Sequence, residues 1–288
     1  MNKLIIFMPS IEDGGVEKNL FLIANFLARK ISKISLITVS KRKKNKFNRK
    51  IRFISTNINF FDNIPRRGKY IVCLFFLFFE LLKNKDSTVL CFQANVYCTL
   101  ICRLFNVKII TRSNSAPSGW SKNIFKKFII SKALSLTNKI IVNSFDFKKE
   151  LKNKLNLNSY VIYNPLNKKE IIKKSLNKNT YKFFRKKHLN IINIGRLVDQ
   201  KDQICLLKAI NLIKNKINLR VLIIGNGIYR NSLLDFIKIN NLEKIVKLKN
   251  FTNNPFPLIK SSDLFVLTSK YEGLPNVLLE AIALKKMI

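Results

Sequence analysis

The chain has 288 residues, of which 47% are hydrophobic, and it carries 54 Lys and Arg against 16 Asp and Glu, a formal net charge of +38. This length allows two domains of ordinary size, each with a buried core. Such a charge favours polyanionic partners, but no zinc-ligand pattern accompanies the basic clusters, so we expect no specific nucleic-acid partner.

The first half of the chain alternates between strands and helices. A buried strand over 4–8 leads through a glycine-containing loop to a helix over 16–30, and a further helix is predicted over 94–105. The other predicted strands lie at 34–39, 88–92, 108–111, 140–143 and 160–163. This alternation predicts a parallel sheet in an α/β domain, which we place at residues 1–168.

A polar, Lys- and Asn-rich stretch follows Asn164-Pro165, and we interpret it as an interdomain linker, 169–188, that includes a short helix. The α/β pattern then begins again, which predicts a second domain over 189–288. Its predicted strands are 190–194, 220–224, 245–248 and 264–267, and its predicted helices are 203–215, 229–239 and 275–285. The fold class is therefore α/β, with two Rossmann-like domains in tandem.

No apolar run reaches the roughly 18 residues that a membrane-spanning helix needs. The nearest, 70–82, is interpreted as a buried or interfacial helix. The apolar run at the N-terminus is soon interrupted by Pro9 and Glu12 and is too short for a signal peptide. We expect a cytoplasmic protein, with peripheral contact at the inner face of the cell membrane because of its basic charge.

The sequence offers no metal-ligand pattern. Its five cysteines form no C-x-x-C pair, and Cys98 and Cys102, four residues apart, are interpreted as core thiols. The single histidine, His188, lies in a polar stretch. We therefore expect no metal site.

The strongest signal is the segment 269–281, which directly follows a predicted buried strand. Pro275 suits the first position of a helix, because its missing N–H would be unpaired there. The amides of Asn276, Val277 and Leu278 would then point out of the helix end, where the helix dipole favours an anion such as a diphosphate. Glu272 and Glu280 lie on either side of this helix end, and a carboxylate accepts hydrogen bonds from two sugar hydroxyls at once.

Glu272 and Glu280, spaced around Gly-Leu-Pro-Asn, resemble the E-x7-E signature of the family-4 retaining glycosyltransferases, which have the two-domain GT-B fold. The resemblance implies that Glu280 holds the ribose of a nucleotide and that Glu272 contacts the donor sugar as a catalytic residue. It also implies that the backbone at 276–278 binds the diphosphate.

Three further segments resemble this family in the same order along the chain. Arg196 and Lys201, in Gly-Arg-Leu and Lys-Asp, match the cations that neutralise the leaving diphosphate. The resemblance places the turn Gly225-Asn226-Gly227 near the nucleotide, and Gly14 and Gly15 at the donor phosphate.

The chain departs from the family pattern in two places. The loop 111–117 lacks the histidine that many members carry, and Asn114 or Ser113 is expected in its place as a hydrogen-bond donor to the donor sugar. Members also continue beyond the helix at 275–285 with a further strand–helix unit and a terminal helix. We therefore expect the second domain to be incomplete, and this chain alone to bind a donor poorly and turn over little.

The resemblance implies a hexosyl-type glycosyltransferase. It would move a sugar from a nucleoside diphosphate sugar to a hydroxyl with retention, in surface polysaccharide or lipopolysaccharide biosynthesis. The acceptor would be a glycan or a lipid-linked glycan. We expect no metal and no cofactor besides the donor, because the Asp-x-Asp triplet typical of metal-dependent glycosyltransferases is absent.

Two alternatives were weighed. A dinucleotide-dependent oxidoreductase needs G-x-G-x-x-G followed by an acidic residue, whereas this chain has Arg230 at the third glycine position and no acid after the next strand. An inactive fragment, or a basic protein that binds membrane surfaces or polyanions, remains open from the sequence.

Overall fold

The computed structural model describes residues 3–12, 14–56, 60–113, 124–177 and 181–288. The chain divides into two compact units, Met1–Pro165 and Leu166–Ile288, here called the first unit and the second unit. The division lies three residues before the boundary expected at residue 168. Each unit is an α/β structure with one sheet, as the sequence predicts.

The first unit contains a sheet of seven parallel strands in the order β3-β2-β1-β4-β5-β6-β7. The strands are β1 Lys3–Phe7, β2 Lys33–Ile37, β3 Ile51–Ile54, β4 Thr88–Cys91, β5 Lys108–Arg112, β6 Lys139–Val142 and β7 Tyr160–Val161. β1 pairs with β2 on one side and with β4 on the other. The sequence analysis missed β3, which has only four residues and ends in partly exposed positions.

Helices cover both faces of this sheet. They are α1 Gly15–Leu27, α2 Phe60–Asn63, α3 Arg66–Lys83, α4 Asn95–Leu104, α5 Ile124–Ser135 and α6 Phe145–Leu155. Successive residues of β1 point to opposite faces, so Ile5 and Phe7 pack with α3 and α4, whereas Leu4 and Ile6 pack with α1. No helix in the described ranges is long and apolar enough to cross a membrane.

The second unit contains a sheet of four parallel strands in the order β10-β9-β8-β11. The strands are β8 Leu189–Ile194, β9 Leu219–Ile224, β10 Val246–Lys249 and β11 Leu264–Phe265. β11 is shorter than the predicted strand 264–267, because the chain leaves the sheet after Phe265. Leu264 forms an isolated parallel bridge with Met287 on the other side of β11.

The helices of the second unit are α7 Lys168–Ser175, α8 Gln203–Ile213, α9 Arg230–Ile239, α10 Phe256–Ser261 and α11 Asn276–Ala283. α7 is a short helix in the stretch where the sequence predicts one, and it packs against α10 and α11 of the second unit. Ile171 on α7 is buried in the same core cluster as Phe256 and Phe265. A single buried isoleucine among lysines gives almost no periodic signal, which is why the sequence did not reveal this packing.

Two glycines allow the turns after β8 and β9 to touch. A Cβ atom on Gly225 would lie 1.8 Å from the backbone oxygen of Gly195, and one on Gly227 would lie 2.1 Å from that of Leu197. Leu197 is held in this turn by its N–H, which donates to Asn226 O at 2.9 Å, and by its oxygen, which accepts from Tyr229 N at 3.1 Å. The Gly-x-Gly turn is therefore required by the backbone contact itself, whatever ligand the turns bind.

We expect Gly227→Ala to lower the free energy of unfolding by about 1–3 kcal/mol, because the added methyl group forces two hydrogen-bonded backbones apart. Urea denaturation measures this change. Gly68→Ala is the matched control, since a Cβ there meets only the flexible end of Ile64 at 3.1 Å and a helical alanine gains up to about 1 kcal/mol. Equal destabilisation in the two variants would contradict the steric explanation.

Candidate functional site

Arg196 lies in the turn that follows β8, at the carboxyl end of the second sheet. Its backbone is fixed, because Gln203 Nε2 donates to Arg196 O at 3.0 Å and the next residue, Leu197, is fully buried. Its side chain is exposed, and within the part of the chain that the structure describes it makes no ion pair. The guanidinium is thus presented to solvent from a rigid turn.

Lys201 ends a short 3-10 helix, Asp199–Lys201, that leads into α8. Asp202, the N-cap of α8, has a left-handed backbone with a φ of 42°. The methylenes of Lys201 pass close to Gly195, since a Cβ atom on that glycine would lie 3.6 Å from Lys201 Cδ. The lysine therefore lies against the turn that carries Arg196.

The segment 266–272, which follows β11, is hydrogen-bonded to the segment 193–201. Asn193 Nδ2 donates to Val266 O at 2.8 Å, and Thr268 Oγ1 donates to Lys201 O at 3.1 Å. Further along, Lys270 N donates to Gln200 O at 2.9 Å and Gln200 Nε2 donates to Tyr271 O at 3.0 Å. These four bonds fix the loop before α11 on the turn after β8.

A surface ion pair lies beside these bonds. Lys270 Nζ lies 2.6 Å from Asp199 Oδ1, and this hydrogen bond raises the pKa of the Lys270 ammonium. Both side chains are largely exposed, so the pair adds little to stability on its own.

At the end of this contact, the Lys201 ammonium forms an ion pair with the Glu272 carboxylate. The exposed fractions of the two side chains are 14% and 23%, so the pair is mostly shielded from water. The structure thus brings together two residues that the sequence placed in one site from separate motifs. In this arrangement each charge neutralises the other.

The N-terminus of α11 differs in detail from the prediction. Pro275 is the N-cap with an extended backbone, and Asn276 is the first helical residue. The prediction that the amide of Leu278 is free at the helix end is wrong, because this amide donates to Pro275 O at 3.1 Å. A 3-10-type bond of this kind is a common way to satisfy the first turn of a helix.

Three residues of α11 are buried in the second unit: Glu280, Ala281 and Ala283. Val277 and Leu278 are partly buried and pack against the cluster that contains Phe265 and Ala281. Glu280 is 4% exposed. The acid assigned to a ribose is therefore covered in this structure, whereas Glu272 lies at the surface end of the loop.

Gly14 and Gly15 belong to the first unit, at the carboxyl end of β1. Gly14 is the N-cap of α1 in an extended conformation, and Gly15 is the first helical residue. Glu17, one helical turn on, is buried, and a Cβ atom on Gly14 would lie 2.6 Å from Glu17 Oε2. Burial raises the pKa of the Glu17 carboxyl, although Arg66 nearby opposes this. Asn114 lies outside the described residues.

The sequence analysis missed the residues that support the site. Asn193, Gln200 and Thr268 bond across about 70 positions of the chain. Single polar residues at that separation form no local pattern. Their only signal was adjacency to the motifs that contain Arg196 and Glu272.

We expect the Lys201–Glu272 pair to be coupled in a double-mutant cycle. Lys201→Met and Glu272→Gln should each destabilise the fold, because each leaves a shielded charge without its partner. The interaction free energy from urea denaturation of the two single variants and the double variant should lie between about 0.5 and 3 kcal/mol. The exposed pair Lys270–Asp199 is the control and should give the smaller value. Strict additivity at Lys201 and Glu272 would contradict the contact.

Comparison with known families finds a match over residues 168–288, almost the whole second unit, to the model of the glycosyl transferases group 1. An uncharacterized glycosyltransferase of Methanocaldococcus jannaschii, MJ1059, is 40% identical over 94 residues, which are 32% of this chain and 23% of that protein.

Two further relatives are named for an activity or a biosynthetic role. The first is the N-acetylgalactosamine-N,N'-diacetylbacillosaminyl-diphospho-undecaprenol 4-alpha-N-acetylgalactosaminyltransferase of Campylobacter jejuni, which is 37% identical over 93 residues, 32% of this chain and 25% of that protein. The second is the capsular polysaccharide biosynthesis glycosyltransferase CapH of Staphylococcus aureus, which is 33% identical over 104 residues, 35% of this chain and 29% of that protein. The matched stretches thus span less than a third of these relatives.

Solved structures resemble the chain over nearly its whole length. Anabaena HepE in complex with UDP and glucose has a TM-score of 0.75 at 16% identity and covers 99% of this chain and 79% of its own. A mutant of Staphylococcus aureus TarM, in complex with UDP, fondaparinux and α-GlcNAc-glycerol, has a TM-score of 0.74 at 15% identity, with coverages of 99% and 85%. At these identities the likeness shows the fold. The family match is confined to residues 168–288, whereas the fold shared with these solved structures extends over 99% of the chain.

Proposed function

We propose that this protein transfers a sugar from a nucleoside diphosphate sugar to a hydroxyl group of a glycan or lipid-linked glycan, in the synthesis of a surface polysaccharide. The observation that carries the proposal is the Lys201–Glu272 pair, held beside the exposed Arg196 at the carboxyl end of β8. Ligands of open α/β sheets bind at this edge. The relatives named above, which act on sugars and polysaccharides, support the same class of reaction.

The proposed reaction breaks the bond between the sugar C1 and the diphosphate, and negative charge develops on the departing oxygen. Arg196 and Lys201 are the cations that would neutralise this charge, because hydrogen bonds between ionised groups are about twice as strong as neutral ones. The positive end of the α11 dipole, at Asn276 and Val277, would contribute further. The acceptor hydroxyl forms the new bond to C1, and its proton passes to the leaving phosphate.

In the proposed reaction, donor binding replaces Glu272 by the diphosphate as the partner of Lys201. Lys201 is neutralised by Glu272 in this structure. A diphosphate competes for the ammonium, and the released carboxylate becomes free to accept from the sugar hydroxyls. We further propose that the anomeric configuration is retained and that Glu280 binds the ribose. Both points rest on the E-x7-E resemblance. The proposal also includes contributions from Gly14, Gly15 and Asn114.

We expect Arg196→Ala and Lys201→Ala each to weaken UDP binding roughly ten- to a hundredfold, since each removes a charge-assisted hydrogen bond of about 1.5–3 kcal/mol. Isothermal titration measures the affinity, and titration in EDTA should give the same value, because no divalent metal is proposed at the site. Lys208→Ala, which removes an exposed cation from α8, is the control. Unchanged affinity in both site variants, or strict dependence on Mg²⁺ or Mn²⁺, would refute the proposal.

We expect substitution of the two glutamates to affect the affinities for UDP and for a UDP-sugar differently. Glu280→Gln should weaken UDP and UDP-sugar alike, because it removes the proposed ribose acceptor. Glu272→Gln should not weaken UDP, since it frees Lys201 from its ion pair, but it should abolish the extra affinity that the sugar contributes. Titration of both variants with UDP and with a UDP-sugar, after melting curves confirm that they fold, tests this. Equal losses for both ligands in both variants would contradict the assignment.

A further inference from the structure

Three helices of the first unit, α3, α4 and α5, expose large apolar side chains. On α3, Ile71, Phe75, Phe79 and Leu82 are 70%, 62%, 45% and 49% exposed. Their spacing of four, four and three residues places them on one stripe of the helix. The opposite side of α3 is buried against the sheet through Cys73, Leu77 and Leu81.

The helices packed next to α3 also expose apolar side chains. α4 packs between α3 and α5. The ring of Phe78 on α3 lies 5.0 Å from that of Phe105, which ends α4. The exposed apolar residues of these two helices are Tyr97, Leu100 and Leu104 on α4, and Phe125, Phe128 and Ile129 on α5. We call this surface the α3–α5 face. An ordinary protein surface exposes apolar side chains singly, whereas these three helices expose many of them, including several aromatic ones.

The charge on the same helices is almost entirely positive. Their basic residues are Arg66, Arg67, Lys69, Lys83, Arg103, Lys126, Lys127 and Lys132. Their one acidic residue within the described ranges is Glu80, which is 8% exposed and forms ion pairs with Lys3 and Arg52. The three helices therefore combine exposed apolar groups with cations, and their one described carboxylate is buried in ion pairs.

We propose that the α3–α5 face binds the surface of an anionic membrane, with its apolar side chains at the level of the lipid headgroups and its cations on the phosphates. Apolar contact combined with basic residues is the composition of interfacial helices, and each cation near an anionic surface adds to the binding. A second copy of the chain is the poorer occupant, because it would bring like charges together across the interface. The proposal does not depend on the proposed function.

The test is co-sedimentation of the full chain with vesicles of phosphatidylcholine containing phosphatidylglycerol, and with vesicles of phosphatidylcholine alone. We expect binding to the anionic vesicles that weakens as salt is raised, and at least tenfold weaker binding to the neutral ones. Phe75→Ser with Leu104→Ser should reduce binding to anionic vesicles at least tenfold. The matched control is Leu212→Ser with Ile239→Ser, which removes side chains of the second unit that are 78% and 79% exposed, and it should bind within about twofold of the unaltered chain.

Absence of binding to anionic vesicles, or equal losses in the two double variants, would overturn the proposal. So would a dimer in sedimentation velocity that the Phe75 and Leu104 substitutions dissociate, because the face would then be a protein interface. Matching melting temperatures show that the variants fold. UDP titration separates the two proposals: vesicle binding without UDP affinity would refute the proposed function alone, and UDP affinity without vesicle binding would refute this inference alone.

Discussion

The arrangement of the second unit depends on the contact between the segment 266–272 and the segment 193–201. β11 contributes only two residues to the sheet, so strand pairing ends well before Glu272. Beyond that point, hydrogen bonds from Asn193, Gln200 and Thr268 fix the path of the chain. Because these bonds pair side chains with backbone groups, they hold an irregular loop at defined positions without continuing the sheet. The start of α11 follows directly from where this loop ends.

The same contact places opposite charges together at the proposed site. Lys201 and Glu272 lie in a partly shielded position where a lone charge would be costly. Their pairing gives each of the two charges a partner. An anionic ligand that displaces Glu272 from Lys201 carries charge of the same sign as the carboxylate. The Lys201 ammonium would therefore keep an anionic partner throughout the exchange. Arg196, exposed on the neighbouring turn, has no such competitor among the residues that the structure describes.

Both units contain a parallel sheet, but the surfaces built around the two sheets differ. In the first unit, alternate residues of the central strands fill cores on both faces of the sheet, and α3 and α4 cover one of them. The outer sides of these helices remain apolar and basic. In the second unit, the turns after β8 and β9 touch so closely that Gly225 and Gly227 leave no room for a side chain. The first kind of surface is the one proposed here to contact lipid, and the second is the one proposed to bind a small anionic ligand.

The sequence by itself determined the alternation of strands and helices, the two-domain α/β class, and the presence of Arg196, Lys201 and Glu272 in short motifs with distinctive spacing. Strands, helices and short motifs are written in neighbouring residues, so the spacing of apolar and polar residues along the chain can reveal them. Only the tertiary structure decided that Lys201 pairs with Glu272, that Glu280 is covered, that α7 packs on the second unit, and that Leu278 bonds Pro275 at the start of α11. These features depend on which side chains meet across about 70 residues, or on the exact position of a helix start. The folded backbone sets both, and no pattern of neighbouring residues encodes them.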